Sequence, residues 1–363
     1  MKRKDGKPKA KALRNLPRYS GGHKDSLNAV SAGFHDEPLV PKTVLSLFSG
    51  CGGLDLGFHG GFRIYGQQFG RTSFKIIHAF DFDKDCVDSY QLNIGKSELA
   101  DLSSMNPQDL PASDVLIGGF PCQDFSSSGS KLGTTTERGQ LYKVLINYAA
   151  YHRPKIVVGE NVPMVATLHN GIYLREIGKA FEEIGYRLNV WKIVCQDHGL
   201  PQSRTRLFLI ATEFEHNFPS HPILPKSRLT IDEAIDDLKS ITDETVPNQS
   251  QYFVADVATN GGGQGDHKNP SGGIAYTIRA NARARIQFHH KLDRRLTVRE
   301  CARLQGFPDS FVFPYSAMRN MKLIGNAVPP IIAHQVALQF EKYLDGFLMD
   351  DAIQPLQAEL EFV

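Results

Sequence analysis

Four short apolar runs, each stopped within two residues by glycine or an acid, constrain this chain more than any other feature. They are residues 43–48 (TVLSLF), 75–80 (KIIHAF), 114–117 (DVLI) and 154–159 (PKIVVG). Apolar runs this short, bounded by turn residues, read as buried strands. Helices are expected between them: from Leu54, from Lys84, over 141–151, and over 174–183 with Gly185 as the stop. Strands alternating with helices give an α/β fold around a mostly parallel sheet. In such sheets functional groups gather where the strands end. The residues just after each run are therefore the ones to weigh.

After the first run comes Ser49-Gly50-Cys51-Gly52-Gly53. A strand entering a glycine turn at a helix start can hold a nucleotide-type cofactor, because glycine lets the backbone approach closely. The turn lacks the third glycine position of a dinucleotide fingerprint and the Gly-Lys-Ser/Thr of a triphosphate loop. The second run ends in Asp81-Phe82-Asp83. Its acid can accept bonds from ribose hydroxyls and its aromatic can stack on adenine. Equally, an aspartate there can cap the helix from Lys84, and Phe82 can be core. Asp101 is a further acid placed to meet a cofactor.

The third run leads into Gly118-Gly119-Phe120-Pro121-Cys122-Gln123. Proline stiffens this turn and aims the following thiol outward. Residues 124–140, rich in Ser, Gly and Thr, read as a long loop. An inert cysteine beside a surface loop is the alternative that residue types alone leave open. The fourth run ends in Glu160-Asn161-Val162. Further on, Arg204 and Arg206 precede the apolar run 207–211 and project to one side. Spacing alone favours two surface arginines.

Composition removes several classes of function. No apolar run reaches the roughly 18 residues a spanning helix needs. The five cysteines are scattered, with no Cys-x-x-Cys pair and no zinc spacing, so neither a disulfide framework nor a metal is indicated. A reducing, cytoplasmic setting follows. Net charge is only +2, but eight of the first eighteen residues are Lys or Arg. Such a block is a solvated arm or an arm that touches nucleic-acid phosphates. Past residue 213 the alternation fades. A helix over 231–238 is followed by an irregular stretch with glycine clusters at 261–265 and 272–273, then Arg279, Arg283, Arg285, Gln287, His289 and His290. Those side-chain types can read base edges, or the loops can be plain linkers. Thr297 and Glu300 form a capping box, with Gly306 and Pro308 as the stop. A last amphipathic helix is expected over 331–348.

Together these stretches resemble the cytosine-C5 DNA methyltransferases that use S-adenosylmethionine. The matching blocks are Phe48-Ser49-Gly50-Cys51-Gly52-Gly53, Gly119-Phe120-Pro121-Cys122-Gln123, Glu160-Asn161-Val162, Gln202-x-Arg204-x-Arg206, Arg295-Leu296-Thr297-x-Arg299-Glu300 with Gln305-Gly306-Phe307-Pro308, and Gly325-Asn326-Ala327-Val328. They run in the family's order from about residue 43 to 340. The resemblance implies a Rossmann-like, mostly parallel sheet with flanking helices plus a smaller, irregular target-recognition domain. Its divisions would be an arm at 1–40, a catalytic and cofactor-binding domain at 41–240, target recognition at 241–320, and a return to the catalytic domain at 321–363.

For the site, the resemblance implies Cys122 as nucleophile, Glu160 as the acid at cytosine N3, and Arg206, supported by Arg204, at O2. It assigns Phe48, Gly50 and Gly53 to the turn under the methionine moiety, Asp81 to the ribose, Phe82 to adenine stacking and Asp101 to the adenine amino group. Asn326 and Val328 would lie near the cofactor. The family's acid at the second of these positions is often glutamate, so Asp81 has a shorter reach. Double-stranded DNA is the implied partner, with base flipping and a closing loop over 124–140. Action as a monomer without a metal, beside a cognate restriction endonuclease, is the corresponding expectation. A transfer-RNA relative would carry Cys-Phe-Thr, absent here. An oxidoreductase would leave Cys122, Glu160 and the arginines unexplained, and a non-catalytic DNA-binding relative should have lost Cys122 or Glu160.

Overall fold

The computed structural model describes residues 41–121, 140–213, 217–223, 228–252, 267–280 and 287–360. The basic arm, Cys122 with most of the loop after it, Arg283 and Arg285 lie outside the described residues.

In chain order the elements are β1 (Lys42–Leu47), α1 (Gly53–His59), β2 (Phe62–Ile64), β3 (Gln67–Phe69), β4 (Phe74–Asp81), α2 (Lys84–Asn93), β5 (Glu98–Leu99) and β6 (Val115–Gly118). Then come α3 (Tyr142–His152), β7 (Ile156–Asn161), α4 (Met164–Thr167), α5 (Ile172–Glu183), β8 (Tyr186–Val194) and β9 (Thr205–Glu213). The remainder holds α6 (Ile231–Ile235), β10 (His267–Lys268), β11 (Gln287–Phe288), α7 (Val298–Leu304), α8 (Ala317–Asn326) and α9 (Pro330–Leu360). Seven strands form one sheet in the order β5-β4-β1-β6-β7-β9-β8. All neighbours are parallel except at β9, which runs antiparallel to both β7 and β8. The expected α/β class with a mostly parallel sheet is what the chain adopts.

Strand periodicity explains the layers. Val44, Val115, Ile117, Ile156, Val158, Phe208 and Ile210 project to one face, where they meet Phe58 of α1 and the apolar side of α9. Their alternating neighbours Leu45, Leu47, Leu116, Val157, Leu207 and Leu209 project to the other, against α3 and α5. Both faces of the sheet are covered, as parallel strands require. On α9 the buried positions Ala333, Val336, Ala337, Phe340 and Leu344 recur at helical spacing. Each large apolar side chain buried this way contributes roughly 1.5–3 kcal/mol before conformational entropy is set against it. A third core joins Cys51 of the glycine turn to α6, α7 and α8 through Leu304, Phe307, Leu323 and Ile324.

Several local expectations need correction. The final helix runs to Leu360 rather than stopping near 348, and the stretch before it is helical as α8. The β2–β3 hairpin and a second capping box, Thr230 with Glu233, went unread. His289 and His290 are buried. His289 Nδ1 accepts the backbone N–H groups of Lys291 and Leu292, and His290 bonds Asp236 at 2.8 Å. These rings hold a turn together and do not face a base edge. Among the described residues no helix is long and apolar enough to cross a membrane.

Candidate active site

The first element of the site is the turn between β1 and α1. Phe48, Gly50 and Gly52 all have positive φ, at 55°, 57° and 92°. Glycine takes that geometry freely, whereas Phe48 does so at a cost. The turn is tied to the end of β4: Gly50 N–H donates to Asp81 Oδ2 at 2.8 Å, and Ser49 N–H to the Phe80 carbonyl at 3.0 Å. Asp81 Oδ1 accepts the Asp83 N–H at 2.9 Å. Burial raises the Asp81 pKa, and those amide bonds oppose the rise. The aspartate that caps α2 is Asp83, whose side chain accepts from Asp85 N–H, and Asp81 is left to the glycine turn.

Gly53 is required for a different reason. A Cβ there would run into the Val328 carbonyl oxygen and lie 3.2 Å from the Phe307 ring. Glycine is the residue that allows α1 to start directly against the 325–328 segment. Phe82 is 60% exposed, which excludes the core alternative and leaves its ring open for stacking. Asp101 is also exposed, its Oδ1 accepting the Ser103 N–H at 3.0 Å and the Ser103 hydroxyl at 2.7 Å. Those two bonds lower its pKa. Asn326, the last residue of α8, is exposed, and Val328 is buried against the turn. Ser49 Oγ is buried with no hydrogen-bond partner, a polar atom left for a ligand at this turn.

The second element forms where β6 and β7 end side by side. Glu160 is buried on β7 opposite Phe208 of β9. Arg206, two residues earlier on β9, lies on the same face as Phe208 and is thus a diagonal neighbour of Glu160. Its Nε is 2.7 Å from Glu160 Oε1, an ion pair rather than an aligned hydrogen bond. The other carboxylate oxygen, Oε2, would lie 3.6 Å from a Cβ on Gly119. The acid therefore stands beside the turn that leads to Cys122. Burial raises the Glu160 pKa, while the charges of Arg206 and Arg204 pull it down without reversing the shift. Asn161 Nδ2 donates to the Phe120 carbonyl at 3.2 Å and pins that turn to β7.

Arg204 is buried as well, contrary to the surface pair that spacing favours. Its Nη1 donates to the Ile278 carbonyl and its Nη2 to those of Gly325 and Ala327, each at 3.0 Å. Gln202 Nε2 donates to Gln305 Oε1 at 2.8 Å, and Gln305 Nε2 to the Ala327 carbonyl at 2.6 Å. The structure thus brings Glu160, Arg206 and Arg204 together. It sets Phe48, Gly50, Gly53, Asp81 and Val328 around the glycine turn.

Two contributors had gone unassigned. Asp55, in the first turn of α1, is fully buried and accepts the Tyr90 hydroxyl at 2.9 Å, and burial pushes its pKa up to about 6. Arg299 is buried and donates to the carbonyls of Pro247, Pro308 and Phe311 at 2.6–2.9 Å. A carboxyl in a first helical turn and an arginine inside a capping-box helix were the visible signals.

Comparisons with known proteins bear on the family and the fold. A family model described as C-5 cytosine-specific DNA methylase matches residues 42–285 and 265–342. Among curated relatives, the Type II methyltransferase M.FnuDI of Fusobacterium nucleatum is 31% identical, covering 83% of this chain and 94% of its own. M.NgoPII of Neisseria gonorrhoeae, also a Type II methyltransferase, is 31% identical, covering 84% and 97%. Among solved structures, the Entamoeba histolytica methyltransferase EhMeth superposes with a TM-score of 0.65 at 18% identity, over 84% of this chain and 98% of that one, which bears on the fold alone.

Proposed function

The chain belongs to the C-5 cytosine-specific DNA methylases, and on that premise we propose that it methylates carbon 5 of a cytosine flipped out of duplex DNA, using Cys122 as a covalent nucleophile and S-adenosylmethionine as donor. The observation that carries this reading is the buried Glu160, its pKa raised by burial, standing between Arg206 and the turn that ends at Cys122. A carboxyl whose proton affinity is raised by burial is suited to give a proton or a strong hydrogen bond to a ring nitrogen.

The residues divide the work as follows. The Cys122 thiolate adds to cytosine carbon 6, and Glu160 gives a proton, or a strong hydrogen bond, to N3. The ring then carries enamine character at carbon 5 and becomes nucleophilic there. Arg206 is suited to hold O2. Loss of the carbon 5 proton to a base, departure of Cys122 as thiolate and return of the N3 proton to Glu160 restore the neutral aromatic ring. The four other cysteines support this assignment of the thiol: burial raises the pKa of Cys51 to about 12 and of Cys195 to about 11, and raises those of Cys86 and Cys301 also. None of those four is an activated thiol.

S-adenosylmethionine, when bound, supplies an electrophilic methyl group. The turn fits it: the backbone of Phe48 and Gly50 is open, no atom lies within 4 Å of a Cβ position on Gly50, and Ser49 Oγ lacks a partner. Asp81 is suited to the ribose, Phe82 to the adenine face, Asp101 to its amino group, and Asn326 and Val328 to the far wall.

Extrusion of the cytosine costs a few kcal/mol, and residues 124–140 are the segment to close over it. Sequence recognition falls to residues 241–320, and the basic arm at 1–40 adds phosphate contacts. The relatives' designation as Type II methyltransferases favours a role in restriction–modification. The deciding experiment uses a duplex with 5-fluorocytosine at the target. Covalent trapping is expected with the wild type and not with Cys122→Ser, and undiminished methyl transfer by that variant would reject the mechanism.

A further inference from the structure

We infer that the protein carries a second ligand site, for a phosphate-bearing molecule the size of one nucleotide, in a cavity directly behind the glycine turn. The cavity has a volume of about 280 Å³ and lies along β4 from Phe74 to Ile77, toward the opposite end of that strand from Asp81. This is just below the ~300–1,000 Å³ range of drug-sized ligand pockets, the size for a single nucleotide and no larger ligand.

Its lining has two parts. The rim carries Arg71, Lys75, Lys96 and His59, and no carboxylate lines it. His59 Nδ1 lies 3.0 Å from the Gly60 carbonyl and His59 Nε2 lies 2.8 Å from Arg71 Nη1, so the ring donates through Nδ1 and accepts from Arg71. A neutral imidazole gives the guanidinium no counter-charge. Among the described residues neither Arg71 nor Lys75 has an ion-pair partner, and Lys96 reaches Glu98 only at 3.9 Å, an acid already taken by His78 at 2.9 Å. The wall is apolar: Ile76, Ile94 and the Tyr90 ring. Uncompensated cations over an apolar wall suit a phosphate joined to a flat base. β5 pairs only with Phe80 and Asp81, so the outer edge of β4 beside the cavity has no strand partner among the described residues.

The same wall backs the cofactor turn. A Cβ on Gly52 would lie 2.9 Å from the Tyr90 ring and would collide with Ile94. Tyr90 also bonds Asp55 in the first turn of α1. One layer of side chains thus separates the cavity from Gly52, and a ligand that shifts Tyr90 or Ile94 shifts the turn. Occupancy is therefore linked to cofactor affinity, by an equal factor in each direction. The linkage, unlike the site, rests on the cofactor reading above.

Calorimetric titration of the full-length protein tests both. The probe is thymidine monophosphate, which lacks the adenine that the turn would accept, and the exposed charges are reversed in Lys75→Glu/Lys96→Glu. Saturable one-to-one binding is expected, weakened at least tenfold in the double variant, with the affinity for a short duplex unchanged. No saturable binding, or equal binding by the variant, would overturn the site. Loss of duplex affinity in place of nucleotide affinity would assign these cations to a DNA strand and overturn it too. S-adenosylhomocysteine and thymidine monophosphate are expected to alter each other's affinity threefold or more, and independent affinities would overturn the linkage. If S-adenosylhomocysteine fails to bind at all, the cofactor reading falls while the nucleotide titration still decides the site.

Discussion

Arg204→Met removes the guanidinium that joins β9 to the 325–328 segment while keeping most of the aliphatic volume. Three carbonyl oxygens, of Ile278, Gly325 and Ala327, lose a charged donor. Charged hydrogen bonds contribute roughly 1.5–3 kcal/mol each, and a buried acceptor left unpaired costs more than a pair replaced on both sides. Water entering the vacated space recovers part of this, so a net loss of about 3–5 kcal/mol is expected, as when one partner of a buried ionic contact is deleted. That is a large share of the ~5–15 kcal/mol that stabilises a typical fold. Trp191, the only tryptophan, is buried on β8 and reports unfolding of the sheet that holds the site. Urea titration followed by its fluorescence gives the loss directly. A second readout separates position from charge. Arg204 is one of two cations that lower the Glu160 pKa, so in the variant Glu160 releases its proton at higher pH and any limb of the pH–rate profile that follows it moves upward. A stability loss below about 1 kcal/mol would mean the three carbonyls are satisfied without Arg204, and the clamp would be refuted.

Gly53→Ala forces the Val328 carbonyl or α1 to move; overpacking of this kind costs about 1–3 kcal/mol, and a weaker affinity for S-adenosylhomocysteine is expected beside a lower urea midpoint. Unchanged values of both would show that the turn and the 325–328 segment are not in the contact described. Asp55 has a pKa raised to about 6 in the fold from an ordinary value near 3.8. The unfolded chain releases this proton first, so the carboxyl's contribution is fully present below about pH 4 and is lost as pH rises through about 6, by about 3 kcal/mol. Asp55→Asn is expected to flatten that part of the stability–pH curve, and parallel curves for the two proteins would contradict the assignment.

The strands were legible because each is a local event. Residues 43–48 and 114–117 carry enough apolar and β-branched side chains to declare themselves, and β1 and β6 appear there within a residue. The Thr297 capping box was legible for the same reason, since its partners are three residues apart. What failed depended on distant partners. Spacing put Arg204 and Arg206 on one side, but their burial follows from the antiparallel register of β7 and β9 and from carbonyls more than 70 residues away. His289 and His290 have side chains able to read bases, and composition does not reveal that each is taken up by Lys291, Leu292 or Asp236. Asp55 was passed over because a carboxyl near a helix start is ordinarily an exposed dipole partner; only the packing of α2 closes over it.

Four residues, Gly325 to Val328, connect the two halves of the site. The Val328 carbonyl lies against Gly53, and those of Gly325 and Ala327 are held by Arg204, with Gln305 also on Ala327. Arg204 in turn adds its charge to the field at Glu160. A displacement at the glycine turn is therefore felt by the arginine beside the acid, with no long path of contacts needed. In the proposed reaction the methyl donor and the attacking carbon have to meet within a fraction of an ångström, and positioning of this kind can supply several kcal/mol of barrier reduction. A segment shared by the glycine turn and Arg204 meets that requirement more directly than two independently packed sites would. It also accounts for a glycine at residue 53, a position with ordinary backbone φ, where close approach rather than conformational freedom is the demand.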